Sequence, residues 1–345
     1  MEEQYDISVV IGTYNRAEML PAALDSVLEQ QSPAARYEVI VVDNNSTDRT
    51  REIVEAYIGR VGAKLKYVFE GRQGVSYARN AGIAAAAAAV IAFADDDVRV
   101  SRDWVASIKR EFDLHPEVDC IGGKVLPEWK SKPPAWLTRD QWAPLALQDY
   151  GDERLLINAG NPLCLVSANL AFRREVFAEI GLFAPDLQRI KNGIGSMEDA
   201  ELLERYWRTG RQCLYVPDLI VTTDVPFERM TKNYHRRWHT GHGYFFAIMR
   251  SEEIERSSSR LFDVPAHLYR QALADAAAWI KCLLLGKRER AFMHETRIRF
   301  FLGFFRKRRK DFLAAAHHGT LREITAFIRS ISSKKDYGDI GKEAG

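Results

Sequence analysis

Cysteine is scarce: four residues in 345 (Cys120, Cys164, Cys213 and Cys282), scattered without paired spacing. That excludes a disulfide framework and the close cysteine pairs of zinc or redox sites, leaving free thiols in a reducing compartment. Charge of one sign is also missing. With 49 basic and 47 acidic residues the net charge is +2, so nothing global draws the chain to nucleic acid. No uncharged run approaches the roughly 18 apolar residues of a membrane-spanning helix. The acidic start, Met1-Glu2-Glu3, leads straight into a strand and does not read as a secretory signal. A cytoplasmic protein is expected. No Gly-x-Gly-x-x-Gly follows the first apolar run and no phosphate-loop lysine occurs, which counts against dinucleotides and phosphate-loop hydrolysis. There is no internal repeat. What remains is an ordinary globular composition, 46% hydrophobic and 28% charged, long enough for one large domain or two.

The most informative stretch is Val90-Ile91-Ala92-Phe93-Ala94, which ends abruptly in Asp95-Asp96-Asp97. A short apolar run closed by acids is how a buried parallel strand looks when it delivers carboxylates to the ligand-binding edge of an α/β sheet. Three adjacent aspartates repel one another. A divalent cation, Mg²⁺ or Mn²⁺, compensates them, because hard carboxylate oxygens suit it and substrate phosphates can complete its shell.

The first half alternates strand and helix with short connections, the pattern of a doubly wound sheet. Strands are expected at 7–11, 38–43, 65–69 and 90–94, and helices at 17–30, 49–60 and from Gly74 through the Ala84–Ala89 run. Ser101 is expected to cap the next helix. Residues 127–160 are irregular and rich in proline and tryptophan; the indoles suit either stacking on a sugar ring or packing on the body. A strand is expected over 163–172, a short helix over 175–180, a helix ending at Arg208, and a strand over 212–221. Residues 229–249 and 265–317 read as helical.

Several polar groups follow these strands. Thr13-Tyr14-Asn15-Arg16 either forms a plain turn or touches a base and ribose. Asp43 either caps the Asn44-Asn45-Ser46-Thr47 turn or accepts from a nucleobase edge. Ser196 with Asp199 fits a capping box loosely, whereas Gly193-x-Gly195 just before it points to close approach by a ligand. A carboxylate in the first turn of a helix stays ionised, as a general base requires.

Taken together, Val9-Val10-Ile11-Gly12-Thr13-Tyr14-Asn15-Arg16, Val39 through Asp48, Gly74-x-x-x-Ala78-Arg79-Asn80, Asp95-Asp96-Asp97 and Glu198-Asp199 resemble the family 2 inverting glycosyltransferases over about residues 5–245. The resemblance implies the A-type nucleotide-sugar transferase fold, a Rossmann-like, mostly parallel α/β sheet with flanking helices. It implies that Thr13, Tyr14, Asn15, Arg16, Asp43, Arg79, Asp95 and Asp96 bind a nucleotide-diphosphate sugar. Asp97 would ligate Mn²⁺ or Mg²⁺, Asp199 would be the base, and Glu198 would orient the acceptor. The late Arg236-Arg237-Trp238 segment resembles the family's Arg-Trp element, so that Arg236 and Arg237 would hold the diphosphate and His239 or His242 would complete the metal shell. Tyr234 stands where polymerising members carry glutamine, which argues for non-processive transfer.

The expected organisation is a catalytic domain over 1–245, a helical extension over 246–331 and a flexible polar tail over 332–345. In the extension, Arg297 through Lys310 mixes aromatics with dense cations, as in helices that lie on anionic membranes. The acceptor would be a glycan or a lipid-linked glycan in cell-surface polysaccharide synthesis, at the inner membrane face. The rivals are a non-catalytic sugar-nucleotide scaffold recruited by its basic tail, and a nucleotidylyltransferase, which would need a glycine-rich basic first loop absent after Ile11.

Overall fold

Continuous apolar runs make strands buried on both faces, and β1 (Ile7–Thr13) and β2 (Tyr37–Asp43) are buried almost throughout. The structure, a computed structural model, describes residues 5–30, 35–188, 194–257 and 259–335. In chain order follow α1 (Leu20–Leu28), α2 (Thr50–Val61), β3 (Leu65–Phe69), α3 (Val75–Ala85), β4 (Val90–Asp95), β5 (Val98–Val100) and α4 (Trp104–Leu114). Next come β6 (Cys120–Trp129), β7 (Leu155–Ile157), β8 (Leu170–Arg173), α5 (Val176–Ile180), α6 (Glu198–Arg208) and β9 (Cys213–Val225). The extension holds α7 (Lys232–Met249), α8 (Glu252–Glu255), α9 (Ala266–Leu284) and α10 (Arg288–Lys335).

The sheet runs β3-β2-β1-β4-β8-β6-β9-β5, with β7 also on β9. Its first four strands are parallel, as expected. β8 enters antiparallel between β4 and β6, and β5 and β7 are antiparallel to β9. Because side chains alternate across a strand, Val9, Ile11, Val39 and Val41 face α1, α2 and α4, whereas Val10, Ile40, Val42 and Phe93 face α3, α5 and α6.

Several sequence expectations fail locally, each for a tertiary reason. The alanine run is not helical to Ala89, because α3 stops at Ala85. The buried Glu38 carboxylate accepts the Ala87 amide (2.7 Å) and the Ser8 hydroxyl accepts that of Ala88 (3.0 Å), so the chain straightens to start β4 beside β1. Burial would raise the pKa of Glu38, but Lys66, Ser8 and the Ala87 amide hold it below the ordinary range. Ser101 is not a cap, since α4 begins at Trp104 after Asp103. Of the expected 163–172 strand only 170–172 pair, in a β8 that runs on to Arg173 and is preceded by a turn of 3₁₀ helix at Ser167–Asn169. Of the irregular segment, 127–129 extend β6, and Trp129, Trp136 and Trp142 pack on the core rather than standing free for a sugar.

α7 runs through the boundary expected at residue 245 and packs along α10. Gly243 and Gly303 permit this, because a Cβ at either would collide with the carbonyl of Phe300 or Thr240. The aromatics of the basic tail helix therefore face inward: Phe304 is fully buried, its ring 6.2 Å from that of Phe246, and Phe305 lies 4.6 Å from Tyr269. Even Arg308 is buried, paired with Asp263 (3.0 Å) and Glu255. These rings are core and not a membrane-facing surface. The expected 265–317 helix is broken at 285–287, where Gly286 takes φ 69°. Residues 332–335, expected in the tail, finish α10, while 336–345 and Gly193 lie outside the described residues. Among the described residues no helix is long and apolar enough to cross a membrane.

Candidate active site

The carboxyl ends of β1, β2 and β4 lie side by side, with Thr13 in register with Asp43 and Gly12 with Asp95. Thr13 is buried and Tyr14 is exposed above it. Asn15 takes a left-handed φ of 51°, which asparagine tolerates, and its side chain accepts the Thr47 amide at 2.7 Å. This ties the β1 turn to the β2 turn. Asp43 accepts from the Ser46 amide (2.9 Å) and the Tyr67 hydroxyl (2.8 Å), so it caps its own turn. Burial and that carboxylate push the Tyr67 hydroxyl up to about 12.

The acidic triplet is compensated from below. Arg16 Nη1 reaches Asp96 at 3.2 Å and is bonded to Asp97 as well. Burial alone would lower the Arg16 constant, but Asp96 and Asp97 raise it, so the guanidinium is permanently charged. Burial pushes Asp96 up to about 7, against Arg16, and raises Asp95 with help from Asp97 and Asp199, against Arg79.

Arg79 is the pivot. It rises from the first turns of α3, is almost fully buried, and lies 5.3 Å from the Phe183 ring centre. Its guanidinium donates to Asp95 (3.4 Å), Glu198 (3.2 Å) and Asp199 (3.1 Å). It therefore joins the acids after β4 to those opening α6. Burial and the neighbouring Asp199 raise the Glu198 carboxyl, against Arg79. The capping box is absent: α6 begins after Met197, with no side chain capping it. Asp199 is instead fixed by Ser167, whose amide donates at 3.1 Å and whose hydroxyl donates too, and it keeps its place in the first turn of α6.

Sequence reasoning missed Ser167, which sits in an unremarkable turn before β8, and Gln188, which accepts the Ser76 amide at 2.7 Å and so holds the start of α3. Neither belongs to a motif, and only the fold brings them to the site.

The late basic segment is split. Arg237 is exposed and lines a cavity of about 360 Å³ with Ile194, Asn233, Arg236, Thr240 and Arg299. Arg236 is held by Glu295 at 2.6 and 3.0 Å, whereas Arg237 has no ion pair among the described residues. The 194–195 stretch leading to Asp199 rests on α7, where a Cβ on Gly241 would strike the Ile194 carbonyl. His242 stacks on Trp238 (centroids 4.5 Å apart) and lines a separate cavity of about 500 Å³ with His239, Gln271 and Asp275. Burial holds His239 near 3 and His242 near 4. No group of three or more His, Cys, Asp or Glu side chains poised for a metal occurs among the described residues, so His242 does not join Asp95 and Asp97. The donor set fits a hard divalent cation in type: Asp95 and Asp97 are partly exposed carboxylates, and added positive charge would oppose the burial and the neighbouring carboxylates that raise Asp95 and Asp96.

Residues 8–181 match the family described as Glycosyl transferase family 2. The chain is 26% identical to a glucosyl-dolichyl phosphate glucuronosyltransferase of Haloferax volcanii, over 81% of this chain and 83% of that protein. It is 30% identical to glycosyltransferase AglE of the same organism over 51% of this chain, about half of that relative's length. Among solved structures it is similar to the Pyrobaculum calidifontis mannosyltransferase PcManGT in complex with GDP-Man and Mn²⁺, with TM-score 0.57 and 20% identity over 89% of this chain and 87% of that one. It is also similar to S. aureus TarS 1–349 in complex with UDP, with TM-score 0.51 and 17% identity over 90% and 92%. At these identities the structural matches speak for the fold, that of A-type glycosyltransferases.

Proposed function

The chain belongs to glycosyl transferase family 2 and is a glycosyltransferase, and on that premise we propose an inverting, metal-dependent, non-processive transfer of one sugar from a nucleotide diphosphate to a hydroxyl. The acceptor is a glycan or a lipid-linked glycan of cell-surface polysaccharide synthesis, handled at the cytoplasmic side of a membrane. The observation that carries this reading is the Arg79 bridge: one buried guanidinium contacts Asp95 at the donor edge and Glu198 and Asp199 at the opening of α6.

In the proposed mechanism Thr13, Tyr14, Asn15 and Asp43 cradle the nucleoside, and Arg16 with Asp96 lines the diphosphate end. Asp97, with Asp95 beside it, would hold Mn²⁺ or Mg²⁺. When bound, the ion stabilises negative charge developing on the leaving diphosphate. Asp199, aligned by Ser167 and Arg79, accepts the proton of the acceptor hydroxyl. The hydroxyl oxygen forms the new bond to the anomeric carbon as the bond to the diphosphate oxygen breaks, and that oxygen keeps the electron pair. Attack from the face opposite the leaving group inverts the anomeric centre. Glu198, whose buried Oε2 has no hydrogen-bond partner among the described residues, would orient the acceptor. Support for the donor comes from relatives whose names carry UDP and GDP-Man, and for a lipid-linked acceptor from the glucosyl-dolichyl phosphate relative.

The test has two stages. A thermal-shift panel of UDP-, GDP- and dTDP-sugars, with Mn²⁺ or chelator, should give stabilisation of a few kcal/mol with one nucleotide, and only with metal. With that donor, Asp199→Asn should bind normally yet transfer about 10²- to 10⁴-fold more slowly. Near-normal transfer by the variant removes Asp199 as base. Donor binding without turnover on any acceptor leaves the scaffold reading.

A further inference from the structure

Among the described residues, one face of α9 has no protein against it. The helix is pinned to the body by Leu268 and by Asp275, which pairs with His294 of α10 at 2.7 Å. Those contacts orient it and turn the opposite face outward. Leu273, Ala277, Ile280 and Leu284 recur at intervals of four, three and four residues, which places them in one stripe along the helix. All four are exposed; Leu273 is 70% and Leu284 82% accessible, and Leu285 continues the stripe at 56%. Leucines that open to water, in a row, are unusual on a soluble surface and mark a docking face.

Charge decides what docks there. Arg270 and Lys281 border the stripe, and Lys287 and Arg288 follow directly at its end, all exposed. Glu289 is the one exposed acid among residues 270–290. A second copy of this chain laid face to face would bring these cations together, which opposes a symmetric dimer. An apolar stripe edged by lysine and arginine is complementary to a bilayer, whose acyl boundary takes the leucines while anionic headgroups take the cations.

We propose that the α9 face is a peripheral docking surface for an anionic lipid bilayer. The surface is α9 and not the aromatic segment of α10, whose phenylalanines are consumed by packing on α7 and α9. α9 packs on α10, which in turn packs along α7, and the stripe contains none of the residues assigned to catalysis. The reading does not depend on which sugar is transferred.

The experiment is co-sedimentation of the full chain with vesicles of phosphatidylglycerol and phosphatidylcholine, and with vesicles of phosphatidylcholine alone, at low and high salt. The wild type should bind the anionic vesicles at low salt and leave them at high salt. The triple variant Leu273→Glu, Ile280→Glu, Leu284→Glu should lose about tenfold or more of that binding. Its donor-induced thermal shift should match wild type, which shows that the fold is kept. Absence of wild-type binding, or equal binding by the variant, overturns the proposal. So does a wild-type dimer in light scattering that the variant splits into monomers, since the stripe is then a subunit interface. Vesicle binding is read without turnover, so its failure leaves the transferase reading standing.

Discussion

Arginine is used in opposite ways at the two ends of this molecule. At the carboxyl edge of the sheet, Arg16 and Arg79 are largely enclosed and each is engaged by two or three carboxylates. In the cavity beside α7, Glu295 is the only acid paired with Arg236 and Arg299, and Arg237 is left without one among the described residues. A saturated network holds its members at fixed distances, as the proposed placement of a base beside a donor needs. An unsaturated one keeps charge available for something that arrives. The same contrast holds for apolar surface, since Phe301 and Phe304 of α10 are covered and Leu273, Ile280 and Leu284 of α9 are not.

The comparison breaks if stability does not follow it. Arg79→Ala strips a buried charge from three acids and should cost about 3–5 kcal/mol, read from chemical denaturation. Arg237→Ala removes an exposed, unpaired side chain and should stay within about 0.5 kcal/mol. Equal costs would mean that the two arginines differ only in appearance.

A second difference is acid sensitivity. His235 is fully buried between Trp136 and Phe292, and burial holds it near 4 rather than 6.5. Its folded constant is depressed, so the unfolded chain takes up a proton first as pH falls. Stability from this group is complete above about 6.5 and lost progressively down to about 4, by up to about 3 kcal/mol. His235→Phe should flatten the melting-temperature profile in that window. An unchanged profile would place the acid sensitivity elsewhere.

The smallest effect sharpens the active-site half. Ser167→Ala deletes a hydroxyl donor to Asp199 but keeps the amide donor, and should destabilise by roughly 1–3 kcal/mol. If Ser167 aligns the base, transfer falls while donor binding is unchanged. A fall in donor binding instead would make Ser167 a donor-site residue.

Much of the sheet was legible because burial on both faces leaves an unmistakable signal. The runs at Ile7, Val39 and Val90 admit few other readings, and an acid immediately after such a run must sit at the strand's end. Asp43 and Asp95 were found in this way, and Asp199 by its place at the start of a helix after Gly193-x-Gly195. The stop of α3 at Ala85 was not, because alanine is content in a helix and the capture of Ala87 by Glu38 spans 49 residues of sequence. The tail misled for a related reason. Aromatics with cations describe a helix on a membrane and a helix buried on α7 equally well, since composition records what a face is made of and not what lies against it.

By itself the sequence determined the alternation of strands and helices, the acids at the strand ends and the family, all of which rest on local pattern. Only the tertiary structure decided that Arg79 joins Asp95 to Asp199, that Ser167 holds Asp199, that His242 stands apart from the triplet, and that α9 is the open face. Each of these is a contact between residues far apart in the chain, and such contacts exist only once burial has brought the elements together.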